Sequence, residues 1–372
     1  MEFTITKDDF LRGLGRIQSI IDKKHTLPIL SNVLLEAGKD QLELVATDLE
    51  VGIRVQLSAD VADEGNITVS AKKLFEIIRE LPEGPIRIAT LDNDWIQVTS
   101  GKAVFKVVGL AAEDFPMFPA FDPESFEAVD GDMLLDMMEK TAFAASTDET
   151  RYYLNGVLFE SEQGEGQPLL RMVSTDGHRL CMVVKTVESL GNLKLEEPVI
   201  IPRKGVAELR KLLSDDDEPV MLMLRERNII VSKGSVLFVI RLIDGEFPDY
   251  RQVVPKELQR SISTDRGLLS SALRRVSVLS SEITRGVKLD FEGNALNISS
   301  SNPNFGDATE ELDVASEGEP LAIGFNSRYL LDVLGASDAE EVKLSLGDEL
   351  SPAIIRFTGN EEFLAVIMPM RL

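Results

Sequence analysis

The stretch Ile200-Ile201-Pro202-Arg203-Lys204-Gly205-Val206-Ala207-Glu208-Leu209-Arg210-Lys211-Leu212-Leu213 decides how the rest of the chain is read. Pro202 predicts a helix start, because the N–H that proline lacks would have no intrahelical acceptor there. Val206, Leu209, Leu212 and Leu213 then recur at helical spacing as one apolar stripe. Arg203, Lys204, Arg210 and Lys211 fall off that stripe, so the packed helix should turn a basic face outward. Taken alone, such a cluster is ordinarily a solvated face. It stands out because the 372-residue chain carries 63 acidic against 39 basic residues, a net charge of −24.

The unit recurs. From Pro202, 131 positions back lies Ala71-Lys72-Lys73-Leu74-Phe75-Glu76-Ile77-Ile78-Arg79, in which Lys72, Lys73 and Arg79 match Arg203, Lys204 and Arg210. Phe75 and Ile78 stand at the places of Val206 and Leu209. From Pro202, 124 positions forward lies Asn326-Ser327-Arg328-Tyr329-Leu330-Leu331-Asp332-Val333-Leu334, which keeps the stripe at Leu330 and Val333 and offers Asn326 as a cap. Only Arg328 keeps the charge there. One unit used three times is the expected organisation.

Each third also opens with a helix: Thr6 capping Phe10, Leu14, Ile17 and Ile21, then Met133–Phe143, then Arg266–Leu279. Strands are expected at Asn32–Glu36, Gly156–Glu160 and Gly286–Asp290. After each basic helix comes a strand pair: Arg87–Ala89 with Trp95–Val98, Val220–Met223 with Ile229–Val231, and Val342–Ser345 with Ala353–Arg356. Boundaries fall near residues 122 and 253, giving domains 1–122, 123–253 and 254–372. The expected class is α+β, with two helices per domain packed on antiparallel sheets.

The N-terminal Met1–Asp9 shows no basic run followed by an apolar stretch, and no segment is long and apolar enough to span a bilayer. The single cysteine, Cys181, allows no intramolecular disulfide and suits a reducing cytoplasm; flanked by Leu180 and Met182, it reads as a small buried hydrophobe. Catalytic signatures are thin. There is no G-x-S-x-G, no P-loop, no dinucleotide-binding glycine fingerprint and no metal-ligand spacing, so no cofactor is expected. With only His25 and His178, an acid–base pair could come only from Asp176 and His178, which sit two apart in an expected turn. Arg151-Tyr152-Tyr153 joins a cation to stackable rings, suited either to nucleic acid or to covering a sheet edge. Asp215–Glu218 reads as a solvated acidic loop. Met368-Pro369-Met370 is either a core strand or a flexible thioether surface that repacks around several partners.

Thr26-Leu27-Pro28-Ile29-Leu30, Ala46-Thr47-Asp48-Leu49-Glu50, Arg151–Gly156, Thr175–Leu180, Pro202–Val206, Phe247–Arg251 and Met368–Leu372, taken in order, resemble the bacterial sliding clamps, the β subunits of DNA polymerase III. The resemblance runs from end to end. It implies a non-catalytic, head-to-tail dimeric ring of six similar domains that encloses duplex DNA and tethers a polymerase. The net charge then makes sense by location, with bases gathered toward phosphates and acids elsewhere.

By position, the resemblance assigns DNA contacts to Lys24, Lys72, Arg79, Asp148, Tyr152, Tyr153, Lys204, Lys211 and Gln252. Lys24, Asp148 and Gln252 depart from the arginine or glutamine familiar there. It assigns a partner-peptide groove to Leu154, Thr175, Gly177, His178, Arg179, Leu180, Pro248, Val253, Leu350, Pro352, Val366, Ile367, Met368, Pro369, Met370, Arg371 and Leu372, with Pro352 standing where some relatives have serine. Lys73, Phe105 and Val107 of one subunit would meet Val278 and Leu279 of the other. The implied partners are double-stranded DNA, a second copy of the chain, the replicative polymerase, the clamp loader, and repair and translesion polymerases, with no membrane. Two competing expectations are a hydrolase or transferase using Asp176 and His178, and a monomeric acidic scaffold that binds peptides only.

Overall fold

The computed structural model describes residues 1–21, 27–119, 122–163, 166–188, 195, 197–215, 218–256 and 258–371. Six α-helices lie among them: α1 (Lys7–Ile17), α2 (Ala71–Glu80), α3 (Gly131–Thr141), α4 (Arg203–Leu213), α5 (Arg266–Ser277) and α6 (Ser327–Leu334). They fall two to a third, as the repeat requires. In α4 the stripe is as read: Val206, Leu209, Leu212 and Leu213 are buried. Burial of each such side chain contributes about 1.5–3 kcal/mol.

Local details differ from the periodicity. Pro202 ends the strand Val199–Pro202 opposite Gly156, and Arg203 opens the helix. A proline costs a strand little at its end, where no ladder donor is needed. In α2 the fully buried positions are Ala71, Leu74 and Ile78, while Phe75 lies half-buried at the margin with the Arg79 guanidinium 6.0 Å from its ring centre. Thr6 caps α1 by accepting from the Asp9 amide, but the helix ends at Ile17, so Ile20 rather than Ile21 fills the core. α3 runs Gly131–Thr141 and continues as a 3₁₀ turn over Ala142–Ala144. α5 stops at Ser277, leaving Val278 as its cap and Leu279 beyond it. Asn326 caps α6 by accepting from the Arg328 amide.

All the expected strand pairs form, each antiparallel. They belong to sheets that run through the boundaries between thirds. Val236–Arg241 pairs with Val51–Ser58, inside a 13-stranded sheet among the described residues. Arg179–Thr186 pairs with Asn360–Ile367, inside a nine-stranded sheet. A four-stranded sheet holds Gly306–Asp313, Ala295–Asn302, Gly286–Glu292 and Leu321–Asn326 in that order. The chain accordingly divides into two compact units, one built of Met1–Gly131 with Ala207–Leu242, the other chiefly of Asp132–Val206 and Ile243 onward.

Among the strands with open edges in the described residues, two are eight residues long. Ala103–Leu110 pairs along its length with Trp95–Ser100, but with Gly65–Ser70 only at Gly109 and Leu110. Gly306–Asp313 pairs only with Ala295–Asn302. Open edges are templates for pairing with another chain.

Candidate functional site

Bases on the helices come first. Lys72 and Lys73 both reach Glu76, at 3.9 and 2.8 Å, and the hydrogen bond from Lys73 holds the Glu76 carboxyl below its ordinary range. Arg79 meets Glu80 at 3.3 Å. Lys211 meets Glu208 at 2.7 Å, and that buried carboxylate also accepts from Ser19 Oγ at 2.6 Å. The basic face is therefore laced with carboxylates. The pairs of Lys72, Lys73 and Arg79 are exposed and worth about 0–1 kcal/mol, so passing phosphates can exchange with them at little cost. Lys204 is half-buried on the same helix as Lys211. Lys24 lies outside the described residues.

The two tyrosines divide their work. Tyr153 packs against a core cluster that includes Leu158, Leu180 and Val366, whereas Tyr152 is 54 % exposed, its ring edge-on to Tyr153 at 5.8 Å. Of the two, Tyr152 is the ring free to stack. Asp148 caps the turn before them: it accepts from the Thr150 hydroxyl at 2.7 Å, the Thr150 amide at 3.0 Å and Arg151 Nε at 3.1 Å. Those bonds, the Thr150 hydroxyl foremost, hold its carboxyl below the usual range. Asp148 thus orients Arg151, a cation left out of the positional assignment. Gln252 is exposed and donates to Asp249 at 3.0 Å.

Several residues of the expected groove lie on or beside one hairpin, Thr175–Leu180. Thr175 Oγ1 accepts from the Gly177 amide, and Asp176 Oδ1 accepts from the amides of His178 and Arg179 at 2.9 and 3.0 Å. Gly177, at φ +89°, turns the chain in a conformation that favours glycine. Across the sheet Arg179 faces Ile367 and Leu180 faces Val366, which in turn face Ala353 and Ile354. Beyond the strand, the Met368 amide donates to His178 O at 2.8 Å and the Met370 amide to Gly324 O at 2.9 Å. Val366, Ile367, Leu180 and Leu154 are buried; Met368, Pro369, Met370 and Pro352 are half-buried, and Pro248, Leu350 and Arg371 are exposed. Val253 follows Tyr250 in one 3₁₀ turn; Tyr250 is buried in the cluster and donates to Glu160 at 2.5 Å, and burial pushes its phenol up to about 12. Leu372 lies outside the described residues.

Arg179 differs from its expected role as a wall of the groove. It is 8 % exposed, and its guanidinium donates to Asp176 at 3.2 Å, Asp332 at 2.6 Å and Phe143 O at 2.6 Å. It also lies over the rings of Phe143 and Tyr329, at 5.4 and 4.6 Å. His178 stacks on Tyr329 with centroids 6.3 Å apart. Tyr329 and Asp332 were not among the sequence candidates; a rare tyrosine in a helix otherwise repeating aliphatic positions was the available signal. The Asp176 carboxylate holds the turn and Arg179, which leaves His178 without an acid–base partner in it. Cys181 is fully buried, and burial pushes its thiol far above the ordinary range, as befits a packing residue.

Family models of the DNA polymerase III beta subunit match the chain in succession: the N-terminal domain over residues 1–119, the central domain over 128–249 and the C-terminal domain over 251–371. The chain belongs to the DNA polymerase III beta subunit family. It is 39% identical over 376 residues to the beta sliding clamp of Pseudomonas putida and 37% identical over 373 residues to that of Escherichia coli K12, with 100% of both chains covered in each case. Among solved structures, the Caulobacter crescentus beta sliding clamp matches with a TM-score of 0.95 at 36% identity, over 100% of both chains. A sliding clamp from Bartonella birtlesii, solved bound to griselimycin, matches with 0.94 at 39% identity over the same coverage. The fold of this sliding clamp is the three-domain clamp fold, helices packed on antiparallel sheets, and its role is that of a non-catalytic processivity factor working with DNA and a polymerase. Among the described residues no helix is long and apolar enough to cross a membrane.

Proposed function

We propose that this sliding clamp closes head to tail with a second copy around duplex DNA, in the cytoplasm, and slides without reading sequence. The observation that carries this is the basic helix placed off its buried stripe in a chain of net charge −24. Lys72, Arg79, Lys204 and Lys211, together with Arg151 and Tyr152 and with Lys24 and Gln252 as further contacts, would meet phosphates, which carry no sequence information. Asp148 serves by holding Arg151. Tight gripping would require about 6–10 strong phosphate contacts and would be salt-sensitive. A closed ring dispenses with that.

Closure has two matching edges to use. Ala103–Leu110 exposes Val104, Phe105 and Val108 beside Lys102 and Lys106; Gly306–Asp313 carries Asp307, Glu310, Glu311 and Asp313, with exposed Phe305 and Val278 nearby. Pairing one edge with the other between copies is a heterologous contact that ends in a ring when the rotation closes. Lys73, Phe105 and Val107 would face Val278 and Leu279 across it. Val278→Ala combined with Leu279→Ala is expected to yield monomers in sedimentation, since truncating a buried leucine costs about 2–5 kcal/mol. An intact dimer at nanomolar concentration would refute this interface.

The groove would seat short peptides of the replicative polymerase, the clamp loader, and repair and translesion polymerases, with His178, Pro248, Val253, Leu350, Pro352, Met368, Pro369, Met370 and Arg371 as its reachable surface. Micromolar affinity, about −8 kcal/mol, lets partners exchange.

A further inference from the structure

The turn Thr47-Asp48-Leu49-Glu50 repeats three of the side-chain bonds of the groove's hairpin. Thr47 Oγ1 accepts from the Leu49 amide at 3.0 Å, and Asp48 Oδ1 accepts from the amides of Glu50 and Val51 at 2.9 and 2.7 Å. These match the bonds of Thr175 and Asp176. Val51 faces Ile240 across the sheet as Arg179 faces Ile367. The Arg241 amide donates to Glu50 O at 2.8 Å as the Met368 amide donates to His178 O. Four of these positions differ between the copies. Glu50 stands at the place of His178 and Val51 at that of Arg179. Leu49 stands at φ +75° where the groove has Gly177 at +89°, and Arg241 stands where the groove has Met368.

A leucine in the left-handed region is strained, and such strain concentrates at functional positions. Leu49 is nonetheless 50 % exposed, beside Met117 at 96 %. Both line a cleft of about 320 Å³ walled by Val239 and Phe118, the latter lying on Gly52, and lined also by two arginines, Arg227 and Arg241, and two glutamates, Glu50 and Glu226. The cleft has room for one or two apolar side chains, and an exposed guanidinium stands at the place of a thioether.

We infer that this cleft is a second docking site, for an extended peptide segment of a partner protein that carries apolar anchors next to a carboxylate. The inference rests on reading the equivalent hairpin as a peptide groove. Leu49 and Met117 grip the anchors; Arg241 receives the carboxylate, which Met368 could not.

Methionine-methyl NMR tests both sites in the intact clamp, with Met117 reporting on the cleft and Met368 and Met370 on the groove. The probes are acetyl-Leu-Phe-Asp-amide and its lysine counterpart, acetyl-Leu-Phe-Lys-amide. The Met117 signal is expected to shift saturably with the aspartate peptide. Binding read there should weaken at least about tenfold with the lysine peptide or in Arg241→Gln, a loss of one charge-assisted contact. It should vanish in Leu49→Gly, which keeps the turn because Gly177 holds the same conformation in the other copy. A stationary Met117 signal overturns the inference, as does an equal shift with the lysine peptide or in Leu49→Gly. Movement of Met368 and Met370 with Met117 fixed would leave the groove standing and remove only the second site; movement of Met117 alone would support the second site and count against the groove.

Discussion

Deleting Met368–Leu372 is expected to abolish peptide binding while leaving the proposed dimer intact. The strand Asn360–Ile367 stays anchored on both sides, by Arg179–Thr186 and by Ala353–Phe357, so the sheet keeps its order without the tail. What goes is the half-buried Met368-Pro369-Met370 surface and the two amide bonds, to His178 O and Gly324 O, that fix it against the hairpin. A ligand held by about −8 kcal/mol through apolar anchors loses the wall that Met368-Pro369-Met370 gives it, so its affinity should fall at least about a thousandfold, to the millimolar range or weaker. Calorimetry with a polymerase-derived peptide, and sedimentation on the same sample, give the two readings. Unchanged binding would move the groove elsewhere.

Arg179→Ala should cost about 2–4 kcal/mol of stability. Removing one partner of a buried ion pair leaves the other charges uncompensated, which costs about 3–5 kcal/mol when burial is complete. The figure is discounted because Asp332 is 31 % exposed. The substitution strands the carboxylates of Asp176 and Asp332, leaves Phe143 O without its donor, and removes the plane stacked between Phe143 and Tyr329. Arg179→Lys should recover only part of the loss, because a point charge reproduces neither the fork nor the stack. Urea unfolding measures both; a change under about 1 kcal/mol for Arg179→Ala would fall within ordinary surface effects and contradict the role given to this residue.

Helices and strand pairs were legible because their information is local. The stripe of α4 predicted the burial of Val206, Leu209, Leu212 and Leu213, though not that of Glu208, and the cap of α6 was visible in Asn326. The exact ends were not, since Pro202 is decided by its pairing with Gly156 and the last turn of α1 by packing at Ile20. At the site, the spacing Thr175–Leu180 marked the hairpin, but nothing local tells that Arg179 is consumed by Asp332, 153 residues away. The ion pairs that temper the basic face were half-visible: Glu76 sits among its lysines in sequence, while Ser19 reaches Glu208 from 189 residues away. The open edge of Gly306–Asp313 escaped notice because its exposed face alternates acidic and small residues and carries no apolar run.

Retention by topology tests the central claim most directly. The clamp is loaded on nicked circular duplex DNA, freed of loader, and followed before and after a single cut, at one salt concentration. Entrapment predicts long residence on the circle and rapid loss from the linear form by sliding off the ends. Equal release from both forms would mean that this protein holds DNA by contact alone.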